Sequence, residues 1–197
     1  MNGVQQYYAQ EAQTLAVRYE SVDFEFVHGY ALPFLPRPPG RALDVGSGTG
    51  RDATALAALG FDVTAVEPVP QMRAEARRLH PEAPVRWTEG SLPELAAVTG
   101  PFDLVLLSAV WMHLAPRERP VAMRRIAGLT APGGRVVLSL RHGPVPEGRR
   151  MYDVPAAETT ALAAEHGLTV LHTRTGADHL GRGEVHWSEL VLERKHP

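Results

Sequence analysis

The sequence contains no cysteine among its 197 residues. This absence excludes disulfide bonds, thiolate nucleophiles and thiolate-bound metals. Lysine is nearly absent as well, because nineteen of the twenty basic residues are arginine. Together with abundant alanine, glycine and proline, this bias is typical of a GC-rich bacterial genome.

An excess of charge of either sign is also lacking, since the formal net charge is -2. Broad binding to nucleic acid or to an anionic membrane surface requires a positive excess, so we expect neither partner. No apolar run approaches the roughly eighteen residues of a membrane span, and the polar residues 1–6 are not typical of a signal peptide. We therefore expect a cytoplasmic protein, either a monomer or a homodimer.

The length fits a single domain with a full hydrophobic core. Apolar residues at helical intervals over residues 4 to about 20 predict one amphipathic N-terminal helix. The proline-rich stretch 33–40 cannot continue a helix and leads into the first strand. We predict a helical extension or lid over residues 1–39 and an α/β core over residues 40–197.

Strand and helix patterns alternate through this core. The predicted strands cover residues 42–45, 63–66, 85–88, 102–108, 135–140, 168–174 and 185–193. The predicted helices cover residues 51–59, 70–80, a segment starting near Pro93, and residues 117–129 and 155–166. This order predicts an open, mostly parallel seven-stranded sheet with an antiparallel last strand and helices on both faces.

A glycine-rich loop joins the first strand to the following helix. Gly46, Gly48 and Gly50 permit a sharp turn and let a ligand approach where a Cβ atom would collide. The second strand ends at Glu67, whose carboxylate can accept both hydroxyls of a ribose. The arrangement predicts a nucleoside site at the carboxyl ends of parallel strands.

The spacing of this loop distinguishes between nucleosides. A dinucleotide fingerprint reads G-x-G-x-x-G, whereas this loop reads G-x-G-x-G and has Arg51 at the sixth position. Asp44, at the end of the first strand, suits an ammonium group better than a diphosphate. A nicotinamide-dependent oxidoreductase is therefore the less favoured interpretation.

The stretch from Leu43 to Ala53, with Glu67, closely resembles motif I of the class I S-adenosylmethionine-dependent methyltransferases. Residues 89–93, 102–108, 131–136 and 185–192 resemble further elements of that family in the same order. The resemblance implies a single-domain Rossmann-like methyltransferase fold, with S-adenosylmethionine as cofactor and S-adenosylhomocysteine as product. It implies cofactor contacts from Asp44, Gly46, Ser47, Gly48, Gly50, Arg51, Glu67, Pro68, Met72, Gly90, Ser91, Leu92 and Ser108.

Tyr8 and Tyr19 have two possible roles. Both lie on the apolar face of the N-terminal helix, where aromatic residues usually pack into the core. Alternatively, they cover the methyl donor as part of a lid. Arg51 likewise either pairs with the cofactor's methionine carboxylate or is a solvated residue at a helix start, and Asp52 favours the helix dipole.

Candidate catalytic residues follow strands four and five. His113 lies just beyond the fourth predicted strand, and Arg141 and His142 follow the fifth. All three positions are expected to face the cleft, where they can position the acceptor or deprotonate it. A base is needed only if the nucleophile arrives protonated, and structural roles for both histidines remain open.

Metal and nucleic-acid chemistry find little support in the sequence. Asp178, His179 and His186 lack the spacing of metal ligands, so we expect no metal site. Ser108 and the residues after it replace the Asn/Asp-Pro-Pro-Tyr/Phe motif of the family members that methylate nucleic-acid bases. The favoured function is methyl transfer to a small-molecule acceptor. The alternatives are methylation of a protein side chain and a non-catalytic sensor or assembly subunit that binds the cofactor.

Overall fold

The computed structural model describes residues 3–178 and 180–196. Seven strands form one sheet in the order β3-β2-β1-β4-β5-β7-β6. The strands are β1 (Gly40–Val45), β2 (Phe61–Val66), β3 (Val85–Thr88), β4 (Phe102–Leu107), β5 (Thr130–His142), β6 (Leu168–Ala177) and β7 (His186–Arg194). β7 is antiparallel to both of its neighbours, β5 and β6, while β1 to β5 pair in parallel. The predicted sheet, with its antiparallel last strand, is confirmed.

Helices cover both faces of this sheet. The helices are α1 (Gly3–Gln10), α2 (Ala12–Tyr19), α3 (Phe24–His28), α4 (Arg51–Ala58), α5 (Pro70–Leu79), α6 (Arg119–Leu129) and α7 (Ala156–Glu165). Short 3-10 turns cover Leu32–Phe34 and Trp111–His113. No helix within the described ranges is both long and apolar enough to cross a membrane.

The central strands bury side chains on both faces because each face meets a helical layer. Along β4, Leu104 and Leu106 pack into the core cluster that contains α4, while Val105 and Leu107 pack into the cluster that contains α6. This alternation follows from the two-residue period of a strand. It explains why the apolar runs in the sequence identify the central strands.

The N-terminal segment differs from the predicted single helix. The chain bends at Glu11, which separates α1 from α2, and both helices pack against α5. Tyr8 and Tyr19 pack with Met72 of α5 in a small apolar cluster. A pattern of apolar residues continues across such a bend, so periodicity alone does not reveal it.

Two further predictions are wrong, namely the helix after Pro93 and the start of β5. The segment after Pro93 forms turns instead of a helix, and Leu95 has a left-handed φ of +45°. The Arg125 guanidinium donates to the carbonyls of Glu94, Leu95 and Val98 in these turns. β5 begins at Thr130, five residues before the predicted start at Arg135. Its first residues include Gly133 and Gly134, which read as a turn in the sequence.

Candidate functional site

The glycine-rich loop turns sharply at the end of β1. The backbone N–H groups of Gly46 and Ser47 both donate to the carbonyl of Val66, at 2.7 and 3.0 Å. Gly48 has a φ of +56°, a left-handed conformation that side chains rarely adopt. These hydrogen bonds hold the loop against the end of β2.

A cavity of about 240 Å³ opens beside this loop, at the carboxyl ends of β1, β2 and β4. The predicted cofactor residues that line it are Tyr8, Tyr19, Asp44, Gly46, Ser47, Gly48, Arg51, Glu67, Pro68, Met72, Gly90, Ser91, Leu92 and Ser108. His113, Asp52 and Arg150 also contribute to its wall. Residues from the N-terminal helices and from the loops after the strands therefore meet at the edge of the sheet where parallel α/β folds bind ligands.

Asp44 is buried in the cavity wall, and neither carboxylate oxygen has a hydrogen-bonding partner among the described residues. Burial raises the pKa of Asp44 well above its usual range, and the negative charges of Asp52 and Glu67 add to the effect. Arg51 and the nearby Ala53 N–H act in the opposite direction, although the latter makes no hydrogen bond of standard geometry. A buried carboxylate without a partner is costly, so this one is suited to bind a cation.

Glu67 lies across the cavity at the end of β2. Its Oε2 accepts the N–H of Gly48 at 3.1 Å, and its Oε1 accepts the N–H of Val69 at 2.8 Å. Burial nevertheless raises its pKa to about 7. Each carboxylate oxygen has more than one acceptor position, so both can still accept a ligand hydroxyl.

Gly50 is the one predicted cofactor residue outside this lining. A Cβ atom at Gly50 would collide with the indole of Trp87, and its φ of +87° also favours glycine. Its glycine requirement comes from packing between α4 and β3. The predicted cofactor contact of Gly50 stays a prediction.

Arg51 and Asp52 form a buried charged cluster with His28. Arg51 donates to both Asp52 oxygens and to the Tyr19 carbonyl, and His28 Nε2 lies 3.0 Å from Asp52 Oδ2. Burial alone would raise the pKa of Asp52, but His28 and Arg51 hold it below its usual range. Asp52 thus does more than favour the helix dipole. His28 was missed because no sequence motif links it to α4.

His113 follows β4 in a 3-10 turn and faces the first cavity. Its Nδ1 lies 2.9 Å from the Arg150 carbonyl, an acceptor, so Nδ1 carries the proton. In the neutral ring Nε2 is then an acceptor, and it lies 3.2 Å from the Tyr8 hydroxyl. Burial lowers the pKa of His113 and favours this neutral form.

A second cavity of about 120 Å³ adjoins the first, and Tyr8, Tyr19, Arg51, Ser108 and Ala109 line both. Its other walls come from α3, β5, β7 and the loops beside them. Both apolar and polar side chains line it, namely Val22, Val27, His28, Tyr30, Ser139, Arg141, Arg149, Met151, Asp178, Leu180, Arg182, Trp187 and Glu189.

The end of β5 separates the two residues predicted to act together. Arg141 faces the second cavity, whereas His142 lines neither cavity. Successive strand residues point to opposite faces, so His142 turns away from the cleft. There its Nδ1 lies 2.6 Å from Asp153 and its Nε2 lies 2.9 Å from Ser188. The prediction that His142 faces the cleft is wrong.

Asp178 forms hydrogen bonds with two side chains that no sequence motif connects to it. Its carboxylate accepts from the Arg182 guanidinium at 2.6 and 2.9 Å and from the Trp187 indole at 3.0 Å. His179, which was considered with Asp178 as a metal ligand, lies outside the described residues. Across residues 3–178 and 180–196, no group of three or more His, Asp or Glu side chains is arranged to hold a metal ion.

Comparison with known proteins places this geometry in a family. A family model described as "Methyltransferase domain" matches residues 43–138. An uncharacterized methyltransferase of Mycobacterium bovis is 34% identical over 104 residues, which are 53% of this chain and 41% of that protein. The chain thus spans less than half the length of this relative. The protein-L-isoaspartate O-methyltransferase of Anaeromyxobacter dehalogenans is 34% identical over 142 residues, 68% of this chain and 60% of that protein.

Solved structures share the fold. The 1,6-didemethyltoxoflavin-N1-methyltransferase of Burkholderia thailandensis, solved with 1,6-didemethyltoxoflavin and S-adenosylhomocysteine, superposes with a TM-score of 0.74 and 19% identity. The match covers 98% of this chain and 88% of that one. A TehB-like S-adenosylmethionine-dependent methyltransferase from Corynebacterium glutamicum gives a TM-score of 0.68 and 22% identity over 98% of both chains.

The first cavity fits the cofactor of this family. The unpartnered carboxylate of Asp44 suits an ammonium group, and Glu67 has acceptor positions for two hydroxyls. Both groups are buried at the same edge of the sheet, beside the loop that resembles motif I. By its fold, its loop and its family match, the chain belongs to the class I S-adenosylmethionine-dependent methyltransferases.

Proposed function

We propose that this protein transfers a methyl group from S-adenosylmethionine to a small molecule bound in the second cavity. The observation that carries the proposal is the junction of the two cavities, where Ser108 and Ala109 lie beneath Tyr8 and Tyr19. A donor in the first cavity and an acceptor in the second would meet at this junction. Methyl transfer from a sulfonium is an in-line displacement, which requires such an alignment.

The donor side of the proposal uses the first cavity. Asp44 would hold the ammonium group, Glu67 the ribose hydroxyls, and the loop around Gly48 would pack against the methionine part. When bound, S-adenosylmethionine supplies an electrophilic methyl group on a positively charged sulfur. The protein's own contribution is to bind, to orient and to exclude water.

Tyr8 and Tyr19 would supply part of that exclusion. Both tyrosines line both cavities, and α1 and α2 pack against α5. Residues 1–39 thus serve as a lid over the core that begins at Gly40. This role combines the two interpretations of the tyrosines, since a packed aromatic ring also covers the donor.

His113 is the proposed general base for an acceptor that arrives protonated. Its Nε2 is unprotonated in the neutral ring and already accepts a hydrogen bond from Tyr8. Because His113 lines only the first cavity and Tyr8 lines both, the acceptor's proton would pass to the Tyr8 hydroxyl as Tyr8 gives its own proton to His113 Nε2. An acceptor that is already ionised needs no base, and His113 then serves only in positioning.

A small acceptor is favoured over a protein side chain by the size and enclosure of the second cavity, about 120 Å³ beneath the N-terminal helices. The structural neighbour from Burkholderia thailandensis methylates a small molecule, 1,6-didemethyltoxoflavin, whereas the relative from Anaeromyxobacter dehalogenans is a protein-L-isoaspartate O-methyltransferase. A sensor or assembly subunit would bind the cofactor without turnover.

Two measurements test the proposal. Calorimetric titration with S-adenosylhomocysteine and, separately, with NAD compares the two cofactor classes, and we expect binding of the first alone. Incubation with methyl-labelled S-adenosylmethionine and a metabolite extract, fractionated into small molecules and proteins, reports turnover. Label in the small-molecule fraction supports the proposal, label in proteins supports the alternative, and binding without label indicates a sensor.

A further inference from the structure

The second cavity contains a positive charge that the described residues do not neutralise. Four arginines line it, namely Arg51, Arg141, Arg149 and Arg182. Arg51 pairs with Asp52, and Arg182 pairs with Asp178. Glu189, the second acid in the lining, is paired with Arg174. The carboxylates around this cavity are therefore already engaged with other arginines.

Arg141 has no such partner. Its side chain is 7% exposed, and within the described ranges it forms no ion pair. Its Nη1 lies 3.5 Å from the Gly143 carbonyl, at the limit of a hydrogen bond, and its Nε is buried without a partner. Burial and the like charges of Arg182 and Arg149 lower the pKa of Arg141, and the carboxylate of Asp178, which is paired with Arg182, only partly offsets this effect.

Arg149 adds a second cation to the same wall. Its guanidinium lies over the rings of Tyr7 and Tyr8, 4.7 and 4.9 Å from their centroids, and its Nε is also buried without a hydrogen bond. Stacking on aromatic rings leaves the edge of a guanidinium free to donate. A buried guanidinium with unused donors is suited to a planar anion, because its fork matches a carboxylate.

We propose that the methyl acceptor carries a carboxylate and that Arg141 binds this group in the second cavity. That the bound acid is the methyl acceptor rests on the proposed function, whereas the anion site depends only on the residues of the second cavity. The apolar side chains of Val22, Val27 and Met151 face the same space, so the body of the molecule is expected to be apolar. A volume of about 120 Å³ limits it to a small acid.

The test uses acetate, benzoate and phenylacetate, each beside its uncharged amide, titrated calorimetrically into the protein with and without saturating S-adenosylhomocysteine. We expect at least one carboxylate to bind wild type about tenfold more tightly than its amide, since hydrogen bonds between charged groups are the strong ones. Arg141→Gln should abolish this preference, and Arg141→Lys should retain part of it because the charge remains without the fork.

Arg86→Gln is the matched control. It removes the same charge from β3, where Arg86 is exposed and lines neither cavity, and the carboxylate preference should survive. Equal binding of acids and amides would overturn the proposal, as would the absence of any carboxylate that binds wild type more tightly than Arg141→Gln. Failure of S-adenosylhomocysteine to bind would instead count against the proposed function, because the carboxylate titrations are also made without it.

Discussion

The hydroxyl of Tyr8 lies 3.2 Å from Nε2 of His113, although 105 positions separate the two residues in the sequence. This contact joins the N-terminal helices to the end of β4. The His113 ring is fixed from its other side by the Arg150 carbonyl. A ring held at both nitrogens has one orientation, so its acceptor nitrogen points toward the lid and the cavity.

His113→Asn tests whether that nitrogen acts as a base. If it does, turnover should fall by about 10²-fold or more, which is the usual contribution of a general base. Because burial lowers the pKa of His113, the rising limb of the wild-type rate should lie below the pH of about 6.5 at which an unperturbed histidine titrates. The measurement is kcat/KM against pH for wild type and variant.

His166→Asn provides the control, since His166 follows α7 and lines neither cavity. An unchanged pH profile and rate in His113→Asn would remove the base from the mechanism. A lower rate with the same pH profile would indicate positioning instead.

Glu67 predicts a pH-dependent affinity for nucleosides. Its pKa is raised to about 7, so the carboxyl is largely protonated in mildly acidic solution and ionised above neutrality. Ribose hydroxyls donate best to the ionised form, and adenosine affinity should therefore rise as the pH increases through 7. Adenosine lacks the ammonium group that Asp44 would bind, so its titration isolates Glu67. Glu67→Gln should lower adenosine affinity by about tenfold at pH 8.5 and flatten the pH dependence.

Dideoxyadenosine, which lacks both ribose hydroxyls, is the matched ligand. Its affinity should be nearly the same for wild type and Glu67→Gln. If adenosine loses no affinity in the variant, Glu67 supports the loop through Gly48 and Val69 without touching the ribose.

The two loop glycines should respond differently to the same substitution. At Gly48 the nearest atom to an added Cβ is the Met72 methyl at 3.6 Å, which is ordinary contact, so Gly48→Ala should cost only about 1–2 kcal/mol for its left-handed backbone. The methyl group would nevertheless project beside the cavity and weaken cofactor binding. Gly50→Ala should destabilise the fold more, through its collision with Trp87. Thermal unfolding and S-adenosylhomocysteine titration of both variants compare the effects, and a Gly48→Ala protein with wild-type affinity would contradict the assignment.

Asp52→Asn should be strongly destabilising. The substitution leaves the buried Arg51 without its counter-charge and weakens the contact with His28, and breaking a buried pair typically costs about 3–5 kcal/mol. Because the pKa of Asp52 is depressed in the folded protein, its contribution is present above the unfolded value of about 3.9 and is lost as the pH falls through the folded pKa. Urea unfolding at pH 7 and pH 3 should show a smaller difference between wild type and variant at the lower pH. A constant difference would mean that the charge of Asp52 is not what stabilises this cluster.

Local sequence patterns were sufficient to predict the strands whose two faces are both buried. β4 reads as an unbroken apolar run because Leu104 and Val105 pack into different clusters. β3 has no fully buried residue, and its alternating pattern was nevertheless sufficient to predict its observed bounds. Long-range contacts decided the rest. The turns after Pro93, where a helix was predicted, present their carbonyls to Arg125. The bend at Glu11 lies within a continuous apolar pattern.

The donor half of the site was predictable because one motif contains Asp44, the loop and, one strand later, Glu67. The acceptor half was not, since its residues come from separate elements. Arg141 and His142 were both predicted to face the cleft because they are adjacent in the sequence, but strand geometry places them on opposite faces. His28 reaches Asp52 from α3, a contact that no spacing in the sequence indicates.

The division of the site between two cavities has a consequence for how such a protein diverges. Of the described lining of the second cavity, Arg51, Ser108 and Ala109 alone fall within residues 43–138, the segment matched by the family model. Substitutions in α3, at the end of β5 and along β7 can reshape the acceptor wall while the donor wall stays as it is. We therefore expect related proteins to share the methyl donor, which the segment matched by the family model binds, and to differ in the acceptor that they methylate.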